Sequence, residues 1–92
     1  MKSPEASRKE WNVYILRCSD GTLYTGITTD VERRLHEHNQ VDSKAARYLK
    51  TRRPVELVYH EKAPSRGEAM KRERAVKKLS RSRKLKLIQE GI

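Results

Sequence analysis

The chain has 92 residues of which 35% are hydrophobic, enough for one small core and too little for a second domain. Its formal net charge of +10 is segregated: residues 1–43 hold six Lys/Arg against seven Asp/Glu, and residues 44–92 hold sixteen against five. A basic half interleaved with folded-looking segments points to nucleic acid as the polyanionic partner, and a single Cys18 excludes an internal disulfide framework and a cysteine-based zinc site.

Residues 1–10 read as a flexible polar leader without the apolar centre of a signal peptide, and residues 11–92 as a single domain. No segment approaches the length of a membrane span, and a reducing, cytoplasmic setting without a membrane partner is the expectation. The first predicted element is a β-hairpin, residues 12–18 and 22–27, joined by Ser19-Asp20-Gly21. A two-residue Asp20-Gly21 loop pairs Cys18 with Leu23 and sends Tyr14 and Tyr24 to opposite faces. A three-residue loop with left-handed Gly21 pairs Cys18 with Thr22, places both tyrosines on one face and sets Gly26 opposite Tyr14, leaving room above the sheet. The second register is preferred on functional grounds.

A helix follows, opened by the capping-box pattern Thr29 to Glu32, with Val31 and Leu35 as its apolar stripe and Asn39 as its end. Arg34 and His38 lie one turn apart on one flank. Residues 44–50 form the weakest predicted element, a short helix capped by Ser43. A third strand spans residues 55–60, a long basic helix opens at Ser65 with a second capping box to Glu68, and a last helix spans about 82–90 before Gly91.

The long basic helix carries an anomaly. On a 3.6-residue period Ala69, Val76 and Leu79 form one narrow face with Glu73 among them, while Lys71, Arg74, Lys77, Lys78 and Arg81 point to water. An acid on a core-facing stripe needs a cation, either an arginine in a half-buried ion pair or a bound metal or substrate group. The same narrow face argues against a membrane-surface helix, which needs large apolar side chains opposite its charges.

The order β-β-α-(α)-β-α-α, an α+β chain with a small three-stranded antiparallel sheet flanked by helices, carries Val13-Tyr14-Ile15 and Tyr24-Thr25-Gly26 on its hairpin. From about Trp11 to Ile88 it resembles the GIY-YIG nuclease domain, in particular its small stand-alone bacterial (YhbQ-like) branch. Val13-Tyr14 is similar to the second half of the first signature tripeptide and Tyr24-Thr25-Gly26 to the second. Arg34 falls where the family carries its catalytic arginine, His38 where members often carry His or Tyr, and Glu73 where a glutamate holds a single divalent metal. Asn12 replaces the usual Gly, Ile27 replaces the lysine of repair-type relatives, and an asparagine after the glutamate helix has no counterpart. These departures bear on rate and substrate choice.

The resemblance implies an endonuclease, related to repair or recombination, that cuts DNA before RNA with one Mg²⁺ or Mn²⁺ on Glu73. Hydrolysing a phosphodiester requires a deprotonated water in line with the leaving oxygen and cations around the phosphate. Arg34 can hold two phosphate oxygens, and Tyr14 or Tyr24 can orient or deprotonate the water if metal and arginine lower a pKa that is ordinarily ~10. The alternatives are a basic binding module without turnover and an accessory subunit whose protein partner supplies specificity. Arg33, Lys44, Arg47, Arg52, Arg53, Lys71, Arg74 and Lys78 are the expected nucleic-acid-binding residues. Tyr48, set among Lys44, Arg47, Lys50, Arg52 and Arg53, is a better base-stacking candidate than Trp11, with packing as the ordinary role of both. His36 and His38 lack the companions of a zinc site, and His60 reads as structural.

Overall fold

The computed structural model describes residues 10–91, so that apart from Glu10 the expected leader lies outside the described residues. Along the chain run β1 (Trp11–Arg17), β2 (Leu23–Thr28), α1 (Val31–Gln40), α2 (Arg47–Lys50), β3 (Glu56–Ala63), α3 (Arg66–Lys77) and α4 (Arg81–Glu90). Both pairings of β1 are antiparallel, and the order β2-β1-β3 makes β1 the central strand. This is the α+β architecture that the sequence pattern predicts.

The hairpin takes the three-residue loop. Gly21 sits at φ +85°, where a side chain is strained, and the Cys18 amide donates to the Thr22 carbonyl at 2.8 Å. Asp20 fastens the turn by accepting from the Thr22 amide at 3.1 Å and its hydroxyl at 2.7 Å. Tyr14 is therefore opposite Gly26 and Leu16 opposite Tyr24, which puts Tyr14, Leu16 and Tyr24 on one face. That face packs with Cys18, Leu49 and Val55, with Leu35 and Ala46 against it, so α1 and α2 cover it. Val13 and Ile15 point the other way and are fully buried. There α3 lies against the sheet through Ala69 and Val76, both fully buried, while Arg72 Nε donates to Glu61 Oε2 at 2.9 Å and Gly91 ends α4 against the Tyr59 ring.

The ends of β1, β2 and α1 and the start of β3 shift by one residue from the sequence expectation, and three further differences have a structural cause. The N-cap of α1 is Asp30, not Thr29: its carboxylate accepts from the Arg33 amide at 3.0 Å while Thr28 Oγ1 accepts from the Asp30 amide at 3.1 Å. The second helix begins only at Arg47, with Ala46 as N-cap and no side-chain cap, so Ser43 does not open it. The cause is tertiary. The Ala46 amide donates to His38 Nδ1 at 3.2 Å and the Lys44 carbonyl accepts from Arg34 Nη1 at 2.6 Å, which commits this backbone to α1. Strand β3 runs on to Ala63 because Glu61, Lys62 and Ala63 continue the ladder opposite Val13, Asn12 and Trp11. Helix α3 starts as expected, with Ser65 Oγ accepting from the Glu68 amide at 3.1 Å.

Candidate functional site

The covered face of the hairpin brings four expected residues together. The ring centroids of Tyr14 and Tyr24 are 6.5 Å apart, Tyr24 meets the His38 ring edge-on at 5.7 Å, and Tyr14 Oη lies 2.9 Å from His38 Nε2. Gly26 is what lets the Tyr14 ring lie flat here, since a Cβ at that position would fall 2.5 Å from the Tyr14 hydroxyl oxygen. The room expected above Gly26 is thus filled by the Tyr14 phenol itself.

His38 is fully buried, and burial, reinforced by the nearby Arg34 and Arg53 charges, pushes it down to about 4. A neutral imidazole carries one ring proton. Because the Ala46 amide can only donate, Nδ1 is the acceptor and the proton sits on Nε2, facing Tyr14. The Tyr14 oxygen consequently accepts from His38, and its own proton is directed elsewhere. Burial raises Tyr14 far above the ordinary phenol value, the neighbouring Tyr24 adds to the rise, and Arg34 opposes it without prevailing. Tyr24 is also raised, first by burial. Against the Arg34 guanidinium alone, desolvation prevails at both phenols.

Arg34 is held rather than free. Its Nη1 donates to Glu37 Oε1 at 3.0 Å and to the Lys44 carbonyl at 2.6 Å. Glu37, whose side chain is 12% exposed, also draws Arg33 to 3.6 Å and Lys44 to 3.9 Å, and the bond from Arg34 holds its carboxyl below the usual range. Glu37 was not among the expected site residues. Its only sequence signal is its place three and four residues after Arg34 and Arg33 on one helix, and the two backbone partners from residues 44 and 46 have no sequence signal at all.

Glu73 is carried by the helix on the other side of the sheet. It sits between buried Ala69 and Val76, and because α3 runs beside the edge strand β2, its charge acts on both Tyr14 and Tyr24. The cation that an acid on this stripe requires is not an arginine. Among the described residues Glu73 pairs with Lys77, at 3.6 Å, and its side chain remains 20% exposed. No group of three or more His, Cys, Asp or Glu gathers among the described residues. One accessible carboxylate does fit a cation such as Mg²⁺, which keeps several waters and completes its shell with phosphate oxygens.

The expected binding residues divide into two sets. Arg52 Nε donates to Asp20 Oδ2 at 3.2 Å, and Arg53 donates to the His38 carbonyl and to Asp42 Oδ1, each at 2.7 Å. Arg33 and Lys44 gather on Glu37, and Lys71 lies 3.8 Å from Glu68. Arg47, Arg74 and Lys78 are exposed, with no acidic partner among the described residues.

This geometry can be set beside known proteins. The family model described as the GIY-YIG catalytic domain matches residues 10–86. The chain belongs to the GIY-YIG family. A UPF0213 protein of Desulfotalea psychrophila is 54% identical over 88 residues, covering 96% of this chain and 79% of that protein. One of Staphylococcus saprophyticus is 51% identical over 79 residues, covering 86% and 94%. Among solved structures, the solution structure of the UPF0213 protein BH0048 from Bacillus halodurans matches with TM-score 0.55 at 46% identity, covering 87% of this chain and 83% of that one. That of EF2693 from E. faecalis matches with TM-score 0.60 at 43% identity, covering 90% and 86%. GIY-YIG membership makes this a domain of a nuclease family that acts on nucleic acid and generally uses divalent metals. No helix among the described residues is long and apolar enough to cross a membrane.

Proposed function

We propose that this chain is a metal-dependent endonuclease that hydrolyses phosphodiester bonds in DNA, in a cytoplasmic repair or recombination setting. The observation that carries the reading is the meeting of Tyr14, Tyr24, His38 and Arg34 on one face of the hairpin, with the Glu73 charge acting on both phenols. In this reading the scissile phosphate lies against Arg34, whose Nη1 is fixed by Glu37 and the Lys44 carbonyl while its other donors remain for phosphate oxygens. Tyr14, once it has given up its own proton to solvent, takes the proton of the attacking water; burial alone keeps the phenol neutral, and a cation held by Glu73 would offset that. The Tyr14 oxygen already accepts from His38 and lies within the influence of Arg34, the two donors that stabilise a phenolate. Tyr24, beside it, orients the water. Glu73 would hold Mg²⁺ or Mn²⁺, and a bound divalent cation supplies charge neutralisation at the phosphate and acidifies water. Arg47, Arg74 and Lys78 would draw the backbone of the nucleic acid toward this face.

The test is incubation of the purified full chain with labelled duplex, nicked, flapped and single-stranded DNA and with the RNA equivalents, in Mg²⁺, in Mn²⁺ and in EDTA. Cleavage of DNA that needs the metal is the expected result. Salt-sensitive binding with no cleavage of any member under any metal would leave a binding module, with specificity or turnover supplied by a protein partner.

A further inference from the structure

Tyr48 and Leu85 are the exposed large hydrophobic side chains among the described residues, at 40% and 38%. Tyr48 is nonetheless ordered by its neighbours. Its ring lies 20° from parallel with Tyr24 at a centroid distance of 6.2 Å, and the Arg52 guanidinium carbon stands 3.8 Å from its centroid. Arg52 is pinned at its edges: Nε donates to Asp20 Oδ2 at 3.2 Å and Nη1 to the Tyr48 carbonyl at 2.8 Å. Asp20 is fixed in turn by Thr22.

This arrangement suits one ligand better than another. With its charge offset by Asp20 and two of its donor groups occupied, Arg52 is a poor phosphate clamp. Tyr48 covers one face of its plane, and 32% of its side chain is left to solvent. A flat, delocalised and weakly hydrated cation is a surface on which nucleobases stack. The row Arg52, Tyr48, Tyr24 leads directly to the Tyr14 hydroxyl, and Arg47 and Lys50, on the same short helix as Tyr48, are exposed without an acidic partner among the described residues.

We propose that the outer face of Arg52, backed by Tyr48, binds an unpaired nucleobase near the phosphate presented to Tyr14 and Arg34. This rests on the reading of that cluster as a cleavage site, and it narrows the substrate to nucleic acid with an unstacked base beside the scissile bond. A base inside a duplex has both faces covered and cannot use the platform. A single strand, a gap or a flap junction can.

The experiment measures equilibrium binding of the full chain, in EDTA, to single-stranded oligonucleotides of roughly 12 residues in which one abasic site is walked along the strand. Binding is expected to weaken roughly tenfold when the abasic site occupies the platform, and to change little elsewhere. Arg52→Lys, which keeps the charge and loses the plane, should flatten this profile while leaving affinity for intact duplex within about twofold. A flat profile for the unmodified chain overturns the proposal, and so does a profile that Arg52→Lys leaves unchanged. The abasic walk on the unmodified chain decides the matter alone if the variant fails to fold. Because no metal is present, a positional profile without cleavage in the substrate panel refutes the nuclease reading and spares the platform. Cleavage with a flat profile does the reverse.

Discussion

The α1–α2 side of the sheet and the α3–α4 side both carry many cations and differ in how many they fix, although Arg47 and Lys50 are free on the first and Arg72 is held by Glu61 on the second. Over α1 and α2, Arg34, Arg52 and Arg53 are each fixed by a carboxylate and a backbone carbonyl. Along α3 and α4, Arg74, Lys78, Arg83 and Lys86 are exposed and have no acidic partner among the described residues. A fixed guanidinium has already lost its rotamer freedom and can be aimed at one atom of a ligand; a free one keeps that entropy and contributes a field. On the proposed reading, aimed cations serve chemistry and stacking, and free ones the attraction of a polyanion.

If the held side does the chemistry, its reacting groups should show the largest effects. Tyr14→Phe is expected to lower metal-dependent cleavage by roughly 10²–10⁴-fold, and Tyr24→Phe by less. Equal and small losses in single-turnover assays would return both rings to packing. Glu37→Gln comes next. It leaves every reacting group in place and loosens Arg34, so a loss of about tenfold in cleavage rate with little change in DNA affinity is expected. A fall in affinity without a fall in rate would mean that Glu37 merely shapes the binding surface.

Buried His38 offers a stability test of the same side. Its pKa is about 4 in the folded chain and ordinarily ~6.5 in an unfolded one, so as pH falls the unfolded state takes up the proton first. The contribution is complete above pH ~6.5 and is lost as pH falls through about 4, with a ceiling on the order of 3 kcal/mol. The lowered carboxylates Asp20, Glu37 and Asp42 act below that window. Melting temperatures between pH 7 and pH 4.5 should therefore drop for the unmodified chain and drop less for His38→Gln; equal slopes would contradict the assignment. The smallest effects are expected on the free side. Arg74→Gln and Lys78→Gln should each reduce the slope of log affinity against log salt by about one, whereas Arg53→Gln should leave it unchanged. A slope that responds to Arg53 as it does to Arg74 would dissolve the distinction between held and free cations.

Part of the Tyr14–Tyr24 cluster was legible in the sequence because it rests on local periodicity. Gly21 fits either of two loops, strand alternation places Tyr14 with Tyr24 only in the register preferred on functional grounds, and the 3.6-residue period isolates Glu73 between Ala69 and Val76. What was illegible depends on how residues 41–54 fold back onto α1. The Ala46 amide that sets the His38 tautomer, the Lys44 carbonyl on Arg34 and the partners of Arg53 are tertiary, and no residue type announces them. The raised tyrosine values have a related cause, since burial is a property of the packed core and it outweighs the Arg34 guanidinium. Thr29 and Asp30 are both good caps one residue apart, and only the backbone decided between them.

The central claim is that Glu73 serves the chemistry and not the fold or the field. Its most direct test is Glu73→Gln, with cleavage measured in Mg²⁺ and binding to the same DNA measured in EDTA. Metal-dependent cleavage should disappear while the melting temperature and the affinity stay close to those of the unmodified chain. Cleavage that persists undiminished in the variant would contradict the account.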